Sequence, residues 1–104
     1  AKGLIAGTKR QLISCFKHEE GFAWIYYLPD LLDYSDNLRH PEKSELILLE
    51  NNQPFWQCHS MHEDIRSTGL GCYSHWENYL LFSTSDNSDP NTNGRLYSIC
   101  FSEK

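Results

Sequence analysis

Residues 72–101 read CYSHWENYLLFSTSDNSDPNTNGRLYSICF, and this stretch decides the fold. Residues 79–84 and 95–101 are apolar, aromatic and rich in strand-forming side chains. Between them lies a polar loop, residues 85–94, whose only apolar residue is a proline. Because the closing Asn93-Gly94 pair tolerates positive φ, the sequence predicts a β-hairpin with a long polar tip.

Turn residues divide the rest of the chain into short strands. Further strands are predicted at residues 11–17, 22–28, 44–50, 55–58 and 72–76. A long loop with one helical turn is predicted at 30–43, and a short helix at 62–68 with Ser60 as N-cap and Gly69 just past its end. The predicted fold is therefore mostly β: a small antiparallel β-sandwich or open barrel of six to seven strands with one short helix.

Length and charge restrict the classes of protein. A chain of 104 residues is expected to form a single domain, 1–104, with residues 1–8 as a loose lead-in. It begins with Ala1 rather than Met, as expected of a processed protein or of a domain cut from a longer one. The net charge of −5 and the scattered positions of its nine basic residues argue against nucleic acid as a partner. No apolar run approaches the ~20 residues of a membrane span.

The cysteines bear on the compartment. Cys15, Cys58, Cys72 and Cys100 are widely and irregularly spaced, unlike the cysteines of a dense disulfide framework. Cys15 and Cys100 lie in apolar, strand-like runs, where a free thiol acts as a small core residue. The sequence therefore predicts reduced cysteines and a cytoplasmic location.

Two sets of residues have part of the spacing of a metal site. A calcium site would use oxygen atoms at alternate positions of the polar loop, from Asp89, Asn91 and Asn93. A zinc site would use Cys58, His62, Cys72 and His75. The calcium pattern lacks its bidentate Glu, since Cys100 stands there, and the zinc spacing is looser than that of known zinc modules. We therefore expect no metal and no cofactor, with the loop oxygens mostly capping their own backbone.

A catalytic function is the second class of hypothesis. Ser74 and His75 are adjacent, but neighbours on a strand point to opposite faces and cannot form a nucleophile–base pair. A hydrolase or transferase would instead use His75 or His62 as base, oriented by Asp64 or Asp86. Since the sequence has no strained nucleophile turn and no phosphate-binding glycine loop, an enzyme is the less favoured interpretation.

Aromatic side chains next to amides, carboxylates and a guanidinium are typical of sugar-binding grooves. Trp76 or Tyr97 would stack on a sugar ring, and polar-loop side chains together with Arg95 would bind its hydroxyl groups. Most of the remaining aromatic rings are expected to belong to the core. The predicted ligand-binding residues are Ser74, His75, Trp76, Asp86, Asp89, Asn93, Arg95 and Tyr97.

The segment from Phe22 to Phe101 also resembles a small β-rich accessory region of bacterial surface-polysaccharide enzymes, such as glycosyltransferases and methyltransferases. The residues that carry the resemblance are Asp33-Tyr34-Ser35-Asp36-Asn37, Leu48-Leu49-Glu50, His62-x-x-Ile65, Gly71-x-x-Ser74-His75-Trp76 and Phe82-Ser83-x-Ser85-Asp86-Asn87-Ser88-Asp89-Pro90-x-x-Asn93-Gly94-Arg95-x-Tyr97. Cys72 stands where the pattern has a basic residue, which weakens the zinc interpretation. The resemblance implies a cytoplasmic, non-catalytic module.

The sequence thus predicts a non-catalytic β domain that binds a glycan or a glycan-linked intermediate, or that docks a parent or partner enzyme of polysaccharide biosynthesis. Two alternatives remain open. One is the small hydrolase or transferase with a histidine base. The other is a purely structural or protein-interaction domain, in which internal hydrogen bonds would satisfy the whole polar loop.

Overall fold

The computed structural model describes residues 9–13 and 15–101. The predicted lead-in, residues 1–8, lies outside these ranges. A 3-10 helix spans Pro29–Tyr34, and the α-helix, α1, spans His62–Ser67. The strands are β1 (Arg10–Gln11), β2 (Lys17–Glu20), β3 (Ala23–Tyr27), β4 (Leu46–Glu50), β5 (Gln53–Pro54), β6 (Tyr73–Trp76), β7 (Tyr79–Phe82) and β8 (Tyr97–Phe101).

The strands form two antiparallel four-stranded sheets that pack together as a small β-sandwich. The first sheet has the order β1-β8-β4-β5, and the second has the order β2-β3-β7-β6. The predicted fold class is confirmed. Two of the strands, β1 and β5, are only two residues long.

The core lies between the sheets and follows from alternation along each strand. Leu48 and Ile99 are paired in the first sheet and are fully buried, as are Leu80 and Phe82 of the second sheet. A smaller cluster lies on the other face of the second sheet, where Ile65 of α1 packs near Leu81, Ala23 and Cys72. The molecule therefore has three layers: sheet, sheet and helix.

The predicted hairpin of residues 79–84 and 95–101 is wrong. Both segments are strands, β7 and β8, but they belong to different sheets. β7 is already paired on both sides, by β3 and β6, so it has no free edge for β8. β8 pairs instead with all five residues of β4 and, on its other side, with β1. The polar loop consequently crosses from one sheet to the other.

Other differences are local. Of the described residues in the predicted strand 11–17, only Gln11 in β1 and Lys17 in β2 lie in strands. The turn falls at Gly21, where φ is +57°. The second hairpin is confirmed, but its return strand is β5 rather than residues 55–58, because Asn51 and Asn52 both take the positive φ that a tight two-residue turn requires.

The helix α1 is confirmed, but its predicted cap is not. Its N-cap is Met61, which makes no side-chain capping bond, while the Ser60 hydroxyl donates to the Gln57 carbonyl at 2.6 Å. Cys15 is exposed and therefore not the core residue that its apolar neighbours suggested. All four cysteines are unpaired thiols. Within the described ranges, no helix has the length and apolar character needed to cross a membrane.

Two contacts fasten α1 to the second sheet. The Arg66 guanidinium donates to both carboxylate oxygens of Glu19 in β2, with Nη2–Oε2 at 2.7 Å and Nε–Oε1 at 3.0 Å. The backbone N–H of Phe22 donates to the Arg66 carbonyl at 2.9 Å. Gly21 is required here, because a Cβ at this position would lie 2.3 Å from that carbonyl oxygen. These contacts hold the C-terminal turn of α1 against the turn between β2 and β3.

Candidate functional site

The predicted site residues do not form one site. In the register of β6 and β7, Trp76 pairs with Tyr79 at the turn end, whereas Tyr73 pairs with Phe82 at the end from which the polar loop departs. At about 3.3 Å per residue, Trp76 therefore lies roughly 10 Å along the hairpin from the start of the loop. The prediction that Trp76 flanks the polar loop is wrong.

An ion pair closes the polar loop on itself. The Arg95 guanidinium donates to both oxygens of Asp86, at 2.8 and 2.9 Å. Asp86 also accepts from the backbone N–H of Ser88 at 3.2 Å and from its hydroxyl at 2.6 Å. The hydrogen bonds from Arg95, followed by those from Ser88, hold the pKa of Asp86 well below its usual range. Two of the three charged side chains among the predicted ligand-binding residues, Asp86 and Arg95, are thus already paired with each other.

The base of the loop is held by a carboxylate between the sheets. Tyr97 is buried and its hydroxyl donates to Glu50 at 2.6 Å, while the Asn93 amide donates to the Tyr97 oxygen at 3.0 Å. The Ser85 hydroxyl donates to the other Glu50 oxygen at 2.6 Å. Burial acts to raise the pKa of Glu50, but the hydrogen bonds from Ser85 and Tyr97 outweigh it, so the net pKa is lowered. Tyr97 is therefore a buried hydrogen-bond donor with no exposed ring for stacking.

The candidate calcium oxygens also have internal partners. Asp89 accepts from the Asn91 N–H at 2.8 Å, and Asn93 accepts from the Arg95 N–H at 2.9 Å. Asn91 bonds both backbone groups of Phe16, accepting at 2.8 Å and donating at 2.9 Å. The loop oxygens therefore cap the protein's own main chain, and through Asn91 they tie the loop to a distant segment.

The candidate zinc ligands point to separate surroundings. Cys58 is exposed, and the buried Cys72 thiol donates to the Gly69 carbonyl at 3.2 Å. His62 contacts Ser74, and His75 contacts Ser44. Among residues 9–13 and 15–101, no group of three or more His, Cys, Asp or Glu side chains is arranged to hold a metal ion.

The motif Ser74-His75-Trp76 is split between the two faces of β6. His75 points between the sheets, is 2% exposed, and lies 2.6 Å from the Ser44 hydroxyl through Nδ1. Its Nε2 atom is buried with no hydrogen-bond partner among the described residues, and burial lowers the pKa of the ring to about 4. Ser74 and Trp76 point to the opposite face, where they line a cavity.

That cavity, which we call the Trp76 pocket, has a volume of about 410 Å³. Three separate segments form it: the loop after the 3-10 helix, the turn that leads into α1, and the β6–β7 hairpin. It combines aromatic rings, hydroxyl groups, imidazoles and carboxylates in one concave surface. Its lining residues are Asp36, Pro41, His59, Ser60, Met61, His62, Glu63, Ser74, Trp76 and Tyr79.

A buried carboxylate anchors one wall of the pocket. Asp36 is 1% exposed; one oxygen accepts from the Ser44 N–H at 2.7 Å, and the other lies 2.6 Å from His59 Nδ1. Main-chain bonds to the β6 strand end fix Asp36, whose N–H donates to the His75 carbonyl at 2.8 Å. Because the ionised carboxylate can only accept, His59 carries its proton on Nδ1. His59 Nε2 has no hydrogen-bond partner in the described chain.

Three rings form the opposite wall. The His62 ring centroid lies 5.6 Å from that of Trp76, nearly perpendicular to it, and 6.2 Å from that of Tyr79. His62 Nε2 is 3.3 Å from the Ser74 hydroxyl. Burial, aided by the charge of Arg66, lowers the pKa of His62, so the ring is neutral at pH 7. A neutral imidazole and a hydroxyl can both donate and accept hydrogen bonds.

Sequence reasoning identified Ser74, Trp76 and His62 but missed Asp36, His59 and Tyr79 as members of one site. The available signal was the long loop at residues 30–43, since such loops often carry binding residues. Its position beside Trp76 depends on a single β-bridge between Asp36 and Trp76, which no local pattern reveals.

Comparison with known proteins finds no matching family model, no matching curated protein and no matching solved structure.

Proposed function

We propose that this chain is a non-catalytic β domain that binds a glycan, or the sugar of a glycan-linked intermediate, in the Trp76 pocket. The observation that carries the proposal is the convergence there of an indole with the Asp36–His59 pair and the Ser74 hydroxyl. The polar loop does not serve this purpose, because its side chains bond to one another and to the main chain.

The chemistry of the pocket suits a sugar. Pyranose rings have an apolar face that packs on an aromatic ring and a rim of hydroxyl groups that need hydrogen-bond partners. Trp76 and Tyr79 supply half-buried ring surface. Ser74, His62 and the Nε2 of His59 supply hydrogen-bonding groups around it.

The wider context is part of the same proposal. The resemblance to accessory regions of polysaccharide enzymes favours a sugar over other hydroxylated ligands, and it favours attachment to, or docking on, such an enzyme. The four unpaired thiols are the state expected in a reducing compartment, which supports a cytoplasmic location.

Titration with monosaccharides and short glycans, followed by NMR chemical-shift changes, tests the proposal. We expect the largest shifts at Trp76, His62 and Ser74, and a loss of affinity of about tenfold or more in Trp76→Ala, equivalent to about 1.4 kcal/mol. Trp56→Ala is the matched control, because Trp56 is 84% exposed and does not line the pocket. Equal losses in the two variants, or shifts confined to the polar loop, would contradict the proposal.

A second candidate function is supported by the Asp36–His59 pair, a histidine oriented by a buried carboxylate as in many acid–base sites. His59 would then be the base of a hydrolase in place of His75, which is buried in the core. Release of nitrophenol from nitrophenyl glycosides and acetate esters at pH 7.5 measures this activity. A rate above buffer that disappears in His59→Gln would favour the enzyme, whereas equal rates for protein and variant would exclude it.

A further inference from the structure

A second cavity adjoins the Trp76 pocket. It is an open depression of about 520 Å³ formed by residues 39–43, the turn that follows the Asp36 loop. Pro41 lines both cavities, so the two form one continuous surface with Pro41 at the boundary. A ligand larger than one sugar ring would extend from the pocket onto this turn.

The turn is basic, and its arginine and lysine side chains have no carboxylate partner among the described residues. Arg39, His40 and Lys43 line the depression with one acid, Glu42. Neither Arg39 nor Lys43 forms an ion pair within the part of the chain that the structure describes. The other three arginines, Arg10, Arg66 and Arg95, are each held by a carboxylate.

The turn is also ordered. The Asn37 side-chain oxygen accepts from the N–H groups of Arg39 and His40, each at 3.0 Å. The backbones of Asn37 and His40 exchange two further bonds at 3.1 Å, and the Lys43 N–H donates to the His40 carbonyl at 3.3 Å. The backbone that carries the cations is therefore fixed next to the pocket before any ligand binds, which lowers the entropy cost of binding.

The charges of the two cavities differ in sign. The Trp76 pocket contains the carboxylates Asp36 and Glu63 and no Lys or Arg. A phosphate inside it would meet like charge, whereas a phosphate over residues 39–43 would meet Arg39 and Lys43. The arrangement suits a ligand that is uncharged at one end and anionic at the other.

We infer that the ligand is a phosphorylated sugar, with its ring against Trp76 and its phosphate beyond Pro41, between Arg39 and Lys43. The inference rests on the proposed sugar-binding function and adds the phosphate to it. A free sugar 1-phosphate, a nucleoside diphosphate sugar and a lipid diphosphate sugar all share this chemistry. Arginine and lysine both bind phosphate, the first through paired N–H donors and the second as a point charge.

The experiment compares dissociation constants, by calorimetry at pH 7.5, for glucose, galactose and N-acetylglucosamine, their 1-phosphates and their nucleoside diphosphate forms. We expect the phosphorylated form of the preferred sugar to bind about tenfold more tightly, and the gain to shrink in 1 M salt because screening weakens exposed charge pairs. The double variant Arg39→Gln/Lys43→Gln should lose this gain and keep the affinity for the unphosphorylated sugar. Lys9→Gln/Lys17→Gln, with the same change in charge elsewhere, should keep both.

Each outcome separates this inference from the function on which it rests. Sugar binding without any gain from phosphate would overturn the inference and leave the sugar site standing. Inorganic phosphate that binds as tightly as the sugar phosphates would also overturn it, since the ring would then contribute nothing. If neither the free sugars nor their phosphorylated forms bind or shift the resonances of Trp76, both proposals are wrong. Tightest binding of a 1-phosphate or of a nucleoside diphosphate sugar supports the inference and identifies the source of the phosphate.

Discussion

Protonation of His75 should destabilise the fold as the pH falls below 6.5. The ring is 2% exposed, its centroid lies 6.5 Å from that of Phe101, and its buried Nε2 has no hydrogen-bond partner in the part of the chain that the structure describes. Ser44 Oγ already accepts from the Leu46 N–H at 3.2 Å, so its own proton is free to go to His75 Nδ1. A second ring proton, on Nδ1, would reverse the direction of this bond and place a charge in the core.

The magnitude follows from the shift in pKa. Burial lowers the pKa of His75 from 6.5 to about 4, so between these values the unfolded chain binds a proton that the folded chain does not. The stabilising effect is complete above pH 6.5 and is lost as the pH falls to about 4. At about 1.36 kcal/mol per unit, the whole loss is about 3.4 kcal/mol, of which about 2 kcal/mol appears between pH 7.5 and pH 5.

Urea unfolding curves at pH 7.5, 6.5, 5.5 and 5.0, followed by tryptophan fluorescence, measure this loss. In His75→Asn the amide keeps a polar atom near Ser44 but does not titrate. Between pH 7.5 and pH 5.0 the free energy of unfolding of this variant should therefore fall by about 2 kcal/mol less than that of the unmodified chain. His40→Asn is the control, because His40 is exposed. Parallel pH profiles for the unmodified chain and His75→Asn would refute the reasoning.

Two further changes test the packing around the site. Gly21→Ala should lower the free energy of unfolding by about 3 kcal/mol or more, since φ is +57° and the new Cβ would meet the Arg66 carbonyl. Gly94→Ala, with φ of +77° and no atom near the new Cβ, should lower it by only about 1 kcal/mol. Equal losses for the two variants in urea unfolding would contradict the clash. Tyr97→Phe should cost about 2 kcal/mol, because Glu50 loses a 2.6 Å hydrogen bond in a nearly buried position, and an unchanged midpoint of urea unfolding would show that the bond contributes nothing.

The fold class was predictable because alternation and turn residues are local signals. The β-sandwich, the helix α1 and the presence of a helical segment after Leu28 all follow from such patterns. The partner of β8 was not predictable in this way. Its hairpin with β7 looked favourable in sequence, but β7 had both edges occupied by β3 and β6, and this is a property of the whole sheet.

The polar loop shows why composition alone could not locate the site. Asp, Asn and Ser occur both in ligand-binding loops and in loops whose side chains cap the main chain, so their presence in the sequence does not distinguish the two. The partners that decide between the two, Phe16 for Asn91 and Glu50 for Tyr97, lie 75 and 47 residues away in sequence. The oxygen-rich segment therefore connects the two sheets, and the Trp76 pocket, where we propose that the ligand binds, lies at the other end of the β6–β7 hairpin.

The motif Ser74-His75-Trp76 shows how much the pleat of a single strand determines. As three consecutive residues, the motif suggests one functional face. Because side chains alternate along a strand, His75 lies on one side of the sheet and its two neighbours lie on the other. Burial keeps the inward side chain neutral, and we expect its protonation to lower stability in acid. The outward pair lines the Trp76 pocket beside Asp36, whose main chain bonds to β6 through the His75 carbonyl. One strand thus places His75 in the core and Ser74 and Trp76 in the proposed binding site, although the three are consecutive in sequence.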